Sequence, residues 1–315
     1  MRQHSLAGIP KDVSALCFGM GGYGTTIRGD KTDRLIAAYL EAGGNFFDTA
    51  HCYLFWEENG DGASERELGA SLRRLGVREQ VVVATKGGHP DAGAAYRRPD
   101  AYLSEQVLTS DIDESLVRLG EAKIDLYYLH RDDPRMPVDE ILGILNREIE
   151  RGRIGALGAS NWSVSRIVEA NAYAARKGLK GFVVSSVMAS LADPEWKIGP
   201  EPTMRFVTSE EANWHTATQF PLVAYSSTGT GFFARTPASG KTANDPANEA
   251  RRTRAQALGA EIGASPTQVA LAWLLHQPYP VLPLFGTTNP LHLTEILAST
   301  ALNLTPAQVL WLRHG

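Results

Sequence analysis

Only two cysteines, Cys17 and Cys52, occur in 315 residues, which argues against a disulfide framework and fits a reducing cytoplasm. Cys52 has no second cysteine at C-x-x-C spacing, so it reads as a small packing residue rather than a redox center. No apolar run approaches the roughly 20 residues that a membrane-spanning helix needs. The N-terminal stretch MRQHSLAGIPKDVSALCFGMGGYG lacks the continuous apolar segment of a signal peptide. There is no basic block, and the formal net charge is -4, so neither nucleic acid nor an anionic membrane is an expected partner. No His/Cys/Asp cluster has metal-ligand spacing, so no metal is expected, and no Gly-x-Ser-x-Gly or Walker-type loop occurs. No linker rich in Gly, Ser or Pro is long enough to divide the chain. What is present, 43% hydrophobic and 21% charged residues, suits a cytoplasmic globular domain.

Strand-like and helix-like stretches alternate from end to end. Strands are predicted near 14–18, 45–48, 80–85, 124–129, 153–158, 181–185, 221–225 and 281–285. Helices are predicted near 31–42, 64–75, 99–119, 138–150, 163–177, 205–218, 248–262 with 266–277, and 290–299. Eight βα units imply a parallel sheet with right-handed crossovers. At this length they suit a closed (β/α)8 TIM barrel, here a single domain over 1–315. Ser64 with Glu67 has capping-box spacing, and Pro99-Asp100, Pro266 and Pro290 mark other first turns. Residues 1–11 are expected outside the barrel, as an extension or a hairpin plug. Residues 189–204 and the Leu54–Ala63 insertion are the long irregular stretches, and such loops are usually functional or disordered.

Three apolar runs, Asn45–Phe47, Val81–Ala84 and Ile124–Leu129, stop at Asp48, Lys86 and His130, and Tyr53 follows Asp48 closely. In a barrel the strand C-termini converge on the face where chemistry occurs. An acid, a phenol, an amine and an imidazole would then share one pocket. Each has a bland reading alone: a loop cap, a half-buried aromatic, a strand-exit lysine, a structural histidine. Together they suit proton transfer to a carbonyl oxygen. Lys86 would lower the pKa of Tyr53, Asp48 would hold Lys86, and His130 would bond the same oxygen. A hydride donor is missing, which no side chain can supply, so a nicotinamide cofactor is implied.

Asn45-Phe-Phe-Asp48-Thr-Ala-His-Cys-Tyr53, Val83-Ala-Thr-Lys86-Gly and Ile124-Asp-Leu-Tyr-Tyr-Leu-His130 resemble the aldo-keto reductase superfamily. Gly155–Asn161 and Val223–Ser227 resemble its later strand ends, so the likeness spans about residues 12–312. The resemblance implies a barrel that binds an extended nicotinamide dinucleotide, with Tyr53 as general acid supported by Asp48, Lys86 and His130. It implies Ser160 and Asn161 at the nicotinamide carboxamide, Tyr225 stacked on the ring, and Gly19 and Met20 lining the cofactor beside Asp48. The Ser226–Gly231 segment (Ser226, Ser227, Thr228, Gly229 and Gly231) matches the part that wraps the pyrophosphate, where small residues allow close backbone approach. Pro283–Glu295 matches the adenosine end, which brings in Gly286, Thr287, Thr288, His292 and Glu295.

Relatives often carry Lys or Arg where this chain has Gly286, Thr230 and His292, and those cations pair with the 2′-phosphate of NADPH. Ser186 stands where a glutamine is frequent, and Ile296 where an asparagine is. Dual use is therefore expected, with NADP(H) ahead on family frequency and NAD(H) open. Tyr23, His51, Trp56 and Trp162 are the expected substrate contacts, with Phe55, Leu191, Trp196 and Phe233 as further wall candidates. Arg131, Asp132 and Asp133 would either meet substrate hydroxyls or form a solvated turn. The few residues after the last predicted helix imply an open site. The substrate would be a small carbonyl or alcohol. The rivals are a cofactor-binding sensor subunit with little turnover and a sugar or alcohol dehydrogenase.

Overall fold

The computed structural model describes residues 1–194, 203–234 and 245–315. Among them, eight parallel strands close into a barrel: β3 (Cys17–Gly19), β4 (Phe46–Asp48), β5 (Val82–Gly87), β6 (Ile124–Leu129), β7 (Ile154–Ser160), β8 (Phe182–Met188), β9 (Leu222–Tyr225) and β10 (Val281–Phe285), with β10 pairing β3. Ahead of the barrel, β1 (Gln3–His4) pairs antiparallel with β2 (Val13–Ser14). Leu6, Ile9 and Val13 of this hairpin pack with Cys17, Phe46, Val82, Leu126, Val184, Val223 and Leu282. The first predicted strand, 14–18, is therefore divided: Ser14 belongs to the hairpin, and the barrel begins at Cys17.

Successive strand residues point to opposite faces. Phe47, Val83, Tyr127, Leu129 and Leu157 pack outward in the layer shared with the helices. Phe46, Ala84, Tyr128 and Val223 pack inward. Two residues beyond each of these inward positions stand Asp48, Lys86, His130 and Tyr225. Period-two alternation thus aims all four into the barrel mouth. The registers Asp48↔Ala84, Lys86↔Tyr128 and Ser160↔Ser186 set their heights.

Helices α1 (Asp30–Glu41), α2 (Ala63–Leu75), α3 (Glu105–Leu119), α4 (Val138–Glu150), α5 (Val164–Lys177), α6 (Ser209–Thr218), α7 (Pro246–Ile262), α8 (Pro266–Leu275), α9 (Pro290–Ala298) and α10 (Pro306–His314) cover the outside. Helix starts differ from expectation in four places. Ser64 is not an N-cap: its hydroxyl bonds the Met20 carbonyl and Thr49 Oγ1, both at 2.7 Å, and Gly62 at φ 63° caps α2 instead. α3 starts at Glu105 behind Ser104, not at Pro99. α6 starts only at Ser209, behind a Thr208–Glu211 capping box. The C-terminal residues form α10, opened by a Thr305–Gln308 box with Pro306 in its first turn.

α2 meets the C-terminal end of α3 at Gly69, where an added Cβ would lie 2.0 Å from the Leu119 carbonyl oxygen. Backbone cannot yield as a side-chain tip can. Gly69→Ala should cost about 1–3 kcal/mol by denaturant unfolding; an unchanged midpoint would show that the two helices part freely.

Candidate active site

Asp48 is fully buried at the end of β4 and Lys86 nearly so on β5. Lys86 Nζ donates to Asp48 Oδ1, to the Thr49 carbonyl at 2.8 Å and to the Tyr53 hydroxyl at 3.0 Å. It also lies 4.7 Å from the centroid of the Tyr53 ring. Tyr53 sits on a tight turn whose backbone bonds run from His51 N–H to the Lys86 carbonyl (2.9 Å) and from Tyr53 N–H to the Ala50 carbonyl (3.1 Å). His130 faces Tyr53 edge-on, with ring centroids 5.9 Å apart. Burial disfavours the ammonium of Lys86, but Asp48 and Tyr53 outweigh it and hold the group charged.

Two electrostatic expectations change. Burial is the largest influence on Tyr53; it outweighs the nearby ammonium, so the phenol pKa is raised rather than lowered. His130 is held well below the usual imidazole value, first by burial and then by Arg131 and His89. A protonated phenol and a neutral imidazole therefore face the pocket, and both can donate a hydrogen bond to a carbonyl oxygen.

Three compartments share walls in series. The first, about 250 Å³, is lined by Tyr53, Lys86, His130, Arg131, Ser160, Asn161, Ser186, Met204, Tyr225, Ser226 and Leu284. Through Tyr53 and Leu284 it joins a crevice of about 390 Å³ with Gly19, Gly21, Gly22, Tyr23, Gly286, Thr287 and Thr288. Through Gly286 and Thr287 that crevice joins a third space of about 520 Å³, lined also by Thr228, Thr230, Gly231, His292, Glu295 and Ile296. The result is a trough from Tyr53, Lys86 and His130 to the start of α9. A Cβ at Gly22 or Gly286 would come no closer than 3.7 Å to any atom, so these glycines leave the walls of the trough low. Ser186 Oγ is buried in the first compartment without a partner among the described residues.

The remaining expected contacts divide. Met20 is absent from the lining: its side chain is fully buried in the core, and its carbonyl takes the Ser64 bond. Ser227 turns its hydroxyl to the Leu284 carbonyl at 2.8 Å. Gly229, at φ 60°, lies nearest Phe232 and Ala192. Glu295 accepts from Ser265 at 2.5 Å while lining the third space. Asn161 is a hub. Its Oδ1 accepts from the Tyr225 hydroxyl (2.7 Å) and Arg205 N–H (3.1 Å), and its Nδ2 donates to the His130 carbonyl (3.3 Å) and Ser160 Oγ (3.1 Å).

Of the four expected substrate residues, Tyr23 lines the crevice and donates its hydroxyl to the Thr287 carbonyl. The other three do not line these compartments. His51 points toward α3, with Nδ1 on the Tyr96 hydroxyl at 2.9 Å and Nε2 on Glu114 at 3.0 Å. Trp162 follows Asn161, which has a φ of 60°, and is buried in the core cluster shared with the helices. Its ring packs 4.9 Å from Phe182 beneath the Arg166 guanidinium. Trp56 is 58% exposed and stacks edge-on against Phe55. Leu191 and Phe233 are core residues; Trp196 lies outside the described residues, as do 195–202 of the 189–204 loop. Arg131 lines the first compartment, whereas Asp132 pairs with Arg166 and Asp133 with Arg135. Gly21 and Gly22 are lining residues that the sequence reading did not name, and their place beside Gly19 was the available signal; Met204 and Leu284, which also line the trough, fall inside the 189–204 and Pro283–Glu295 stretches without having been singled out.

The sequence profile described as the aldo/keto reductase family matches residues 15–313. The chain belongs to the aldo/keto reductase family. Its members are oxidoreductases. A probable aldo-keto reductase 1 of Glycine max is 28% identical, over 93% of this chain and 83% of that one. The aldo-keto reductase str7 of Strobilurus tenacellus is also 28% identical, over 92% and 82%. The aldo-keto reductase yakc of Schizosaccharomyces pombe, whose name includes NADP(+), is 26% identical over 96% and 88%. A solved thermostable aldo-keto reductase, in complex with the inhibitor epalrestat, aligns with a TM-score of 0.74 over 99% of both chains at 22% identity. That likeness establishes the (β/α)8 fold. No helix among the described residues is long and apolar enough to cross a membrane, and no group of three His, Cys, Asp or Glu could hold a metal there.

Proposed function

We propose that this aldo-keto reductase reduces an aldehyde or ketone, with Tyr53 as the general acid. The observation that carries the reading is the position of Lys86 Nζ, which bonds both Asp48 and the Tyr53 hydroxyl at the floor of the pocket that His130 lines. A nicotinamide dinucleotide bound along the trough would supply the hydride that no side chain can. The shape supports an elongated ligand: the three compartments lie end to end, and glycines keep the walls low. Tyr225, Ser160 and Ser186, whose Oγ has no partner among the described residues, would hold the nicotinamide end. Thr228, Gly231, Gly286 and Thr287 would follow the phosphates, and His292 with Glu295 the adenosine.

A carbonyl oxygen placed between Tyr53 and His130 receives two donors. Tyr53 delivers the proton as negative charge develops on that oxygen, and Lys86 stabilises the phenolate left behind. Asp48 keeps Lys86 charged and oriented. Run backward, Tyr53 is the base that takes the proton from an alcohol. The test is turnover of an activated aldehyde with NADPH and with NADH, and of polyols with the oxidised forms. Reduction would support the reading; oxidation alone would favour the dehydrogenase; tight binding with no turnover either way would favour the sensor subunit.

NADP(H) is the preferred form in this proposal, held without Lys or Arg among the described residues that line the third compartment. His292→Arg should then tighten NADPH relative to NADH by about tenfold or more, the range of one charge-assisted hydrogen bond. An unchanged ratio in a fluorescence titration would move the adenosine end elsewhere.

A further inference from the structure

The Sγ atom of Cys52 lies 3.4 Å from His130 Nδ1. Cys52 is buried in a small cluster with Ala50 and Tyr96, one residue before Tyr53. Its thiol is held as S–H, because burial pushes its pKa up to about 12. A neutral imidazole carries one proton, and its second nitrogen is a strong acceptor. A thiol is both a weak donor and a weak acceptor. Because the buried thiol keeps its proton, S–H is available to donate to Nδ1 across this contact. With Nδ1 so engaged, Nε2 is the nitrogen left to the pocket that the ring lines. The backbone fixes the ring's base on both sides, through His130 N–H to the Gly87 carbonyl (2.8 Å) and Asn161 Nδ2 to the His130 carbonyl (3.3 Å).

We propose that Cys52 is a positioning residue that selects the His130 tautomer with its proton on Nε2, so that His130 is a donor to the substrate oxygen and not an acceptor. The donor role rests on the reductase reading above; the tautomer assignment does not. The opposite tautomer would turn a lone pair toward the carbonyl oxygen, which repels it. The cysteine one position before the catalytic tyrosine thus acts through the imidazole, without redox chemistry.

The experiment is nitrogen-15 NMR of the full chain with labelled histidine, assigned with a His130→Gln sample, together with steady-state carbonyl reduction. The wild type is expected to show the Nε2–H form at His130. Cys52→Ala should shift the tautomer ratio by about threefold to tenfold, the range of one neutral hydrogen bond. It should lower kcat by a similar factor with cofactor affinity unchanged. Cys52→Ser keeps a donor and should restore both. A wild-type His130 protonated at Nδ1 overturns the proposal whatever the variants do, so a poorly folding Cys52→Ala leaves it testable. An unchanged ratio in a folded Cys52→Ala overturns it as well. If the tautomer behaves as expected but the protein reduces no carbonyl, the positioning stands and the reductase reading falls.

Discussion

Tyr53→Phe is expected to lower carbonyl turnover by roughly 10²–10⁴, the range for loss of a general acid, while NADPH and NADH bind nearly as before. The ring is kept, and with it the packing over Lys86, whose ammonium lies 4.7 Å from the ring centroid. Only the hydroxyl that takes the 3.0 Å bond from Lys86 is removed. The pH dependence follows from the raised pKa of the buried phenol. Reduction uses the protonated form, so it persists at neutral pH and declines only as pH rises through that value. Oxidation of an alcohol uses the phenolate and rises over the same interval. The variant should lose both limbs. Turnover and pH profiles equal to wild type would remove Tyr53 from the mechanism.

Lys86→Met carries the second large effect, on stability and activity together. It strands the Asp48 carboxylate in a fully buried position, where Oδ2 already has no partner among the described residues. Removing one member of a buried ion pair typically costs about 3–5 kcal/mol, because the surviving charge is uncompensated. Turnover should fall at least as far as in Tyr53→Phe, since the phenol loses its donor and the phenolate its countercharge. The double variant Asp48→Asn with Lys86→Met removes both charges. It should regain much of the stability and none of the turnover in denaturant unfolding and steady-state assays. A double variant as unstable as the single one would mean that the pair does not act as a unit.

The barrel and the tetrad were legible because both rest on local signals. An apolar run that ends in a polar residue marks a buried strand exit, and period-two alternation decides which exits point inward. Asp48, Lys86, His130, Ser160 and Tyr225 all follow that rule. His51 and Trp162 escaped it because each sits in a turn, where a neighbour's conformation sets the side-chain direction. Trp162, after Asn161 in the left-handed region, packs in the core shared with the helices, and His51 answers to Glu114 and Tyr96, distant in sequence. Ser64 with Glu67 shows the same limit from another side. The spacing fits a helix cap, but the Ser64 hydroxyl is taken by Met20 and Thr49 across the barrel rim, and Glu67 accepts from Gly29 N–H at 2.8 Å. α10 was within reach, since Thr305, Pro306 and Gln308 spell a helix start. The rise in the Tyr53 pKa was not, because it needs the depth of burial as well as the neighbouring charge.

The central claim is that cofactor bound along the trough meets a carbonyl that Tyr53 protonates. One stopped-flow measurement addresses it: the fluorescence of NADPH prebound to wild type and to Tyr53→Phe, followed after mixing with an activated aldehyde. The expected result is that both proteins bind the cofactor, that the wild-type signal is consumed in a rapid single turnover, and that the variant's signal decays orders of magnitude more slowly. Equal rates in the two proteins, or no binding to wild type, would contradict the account.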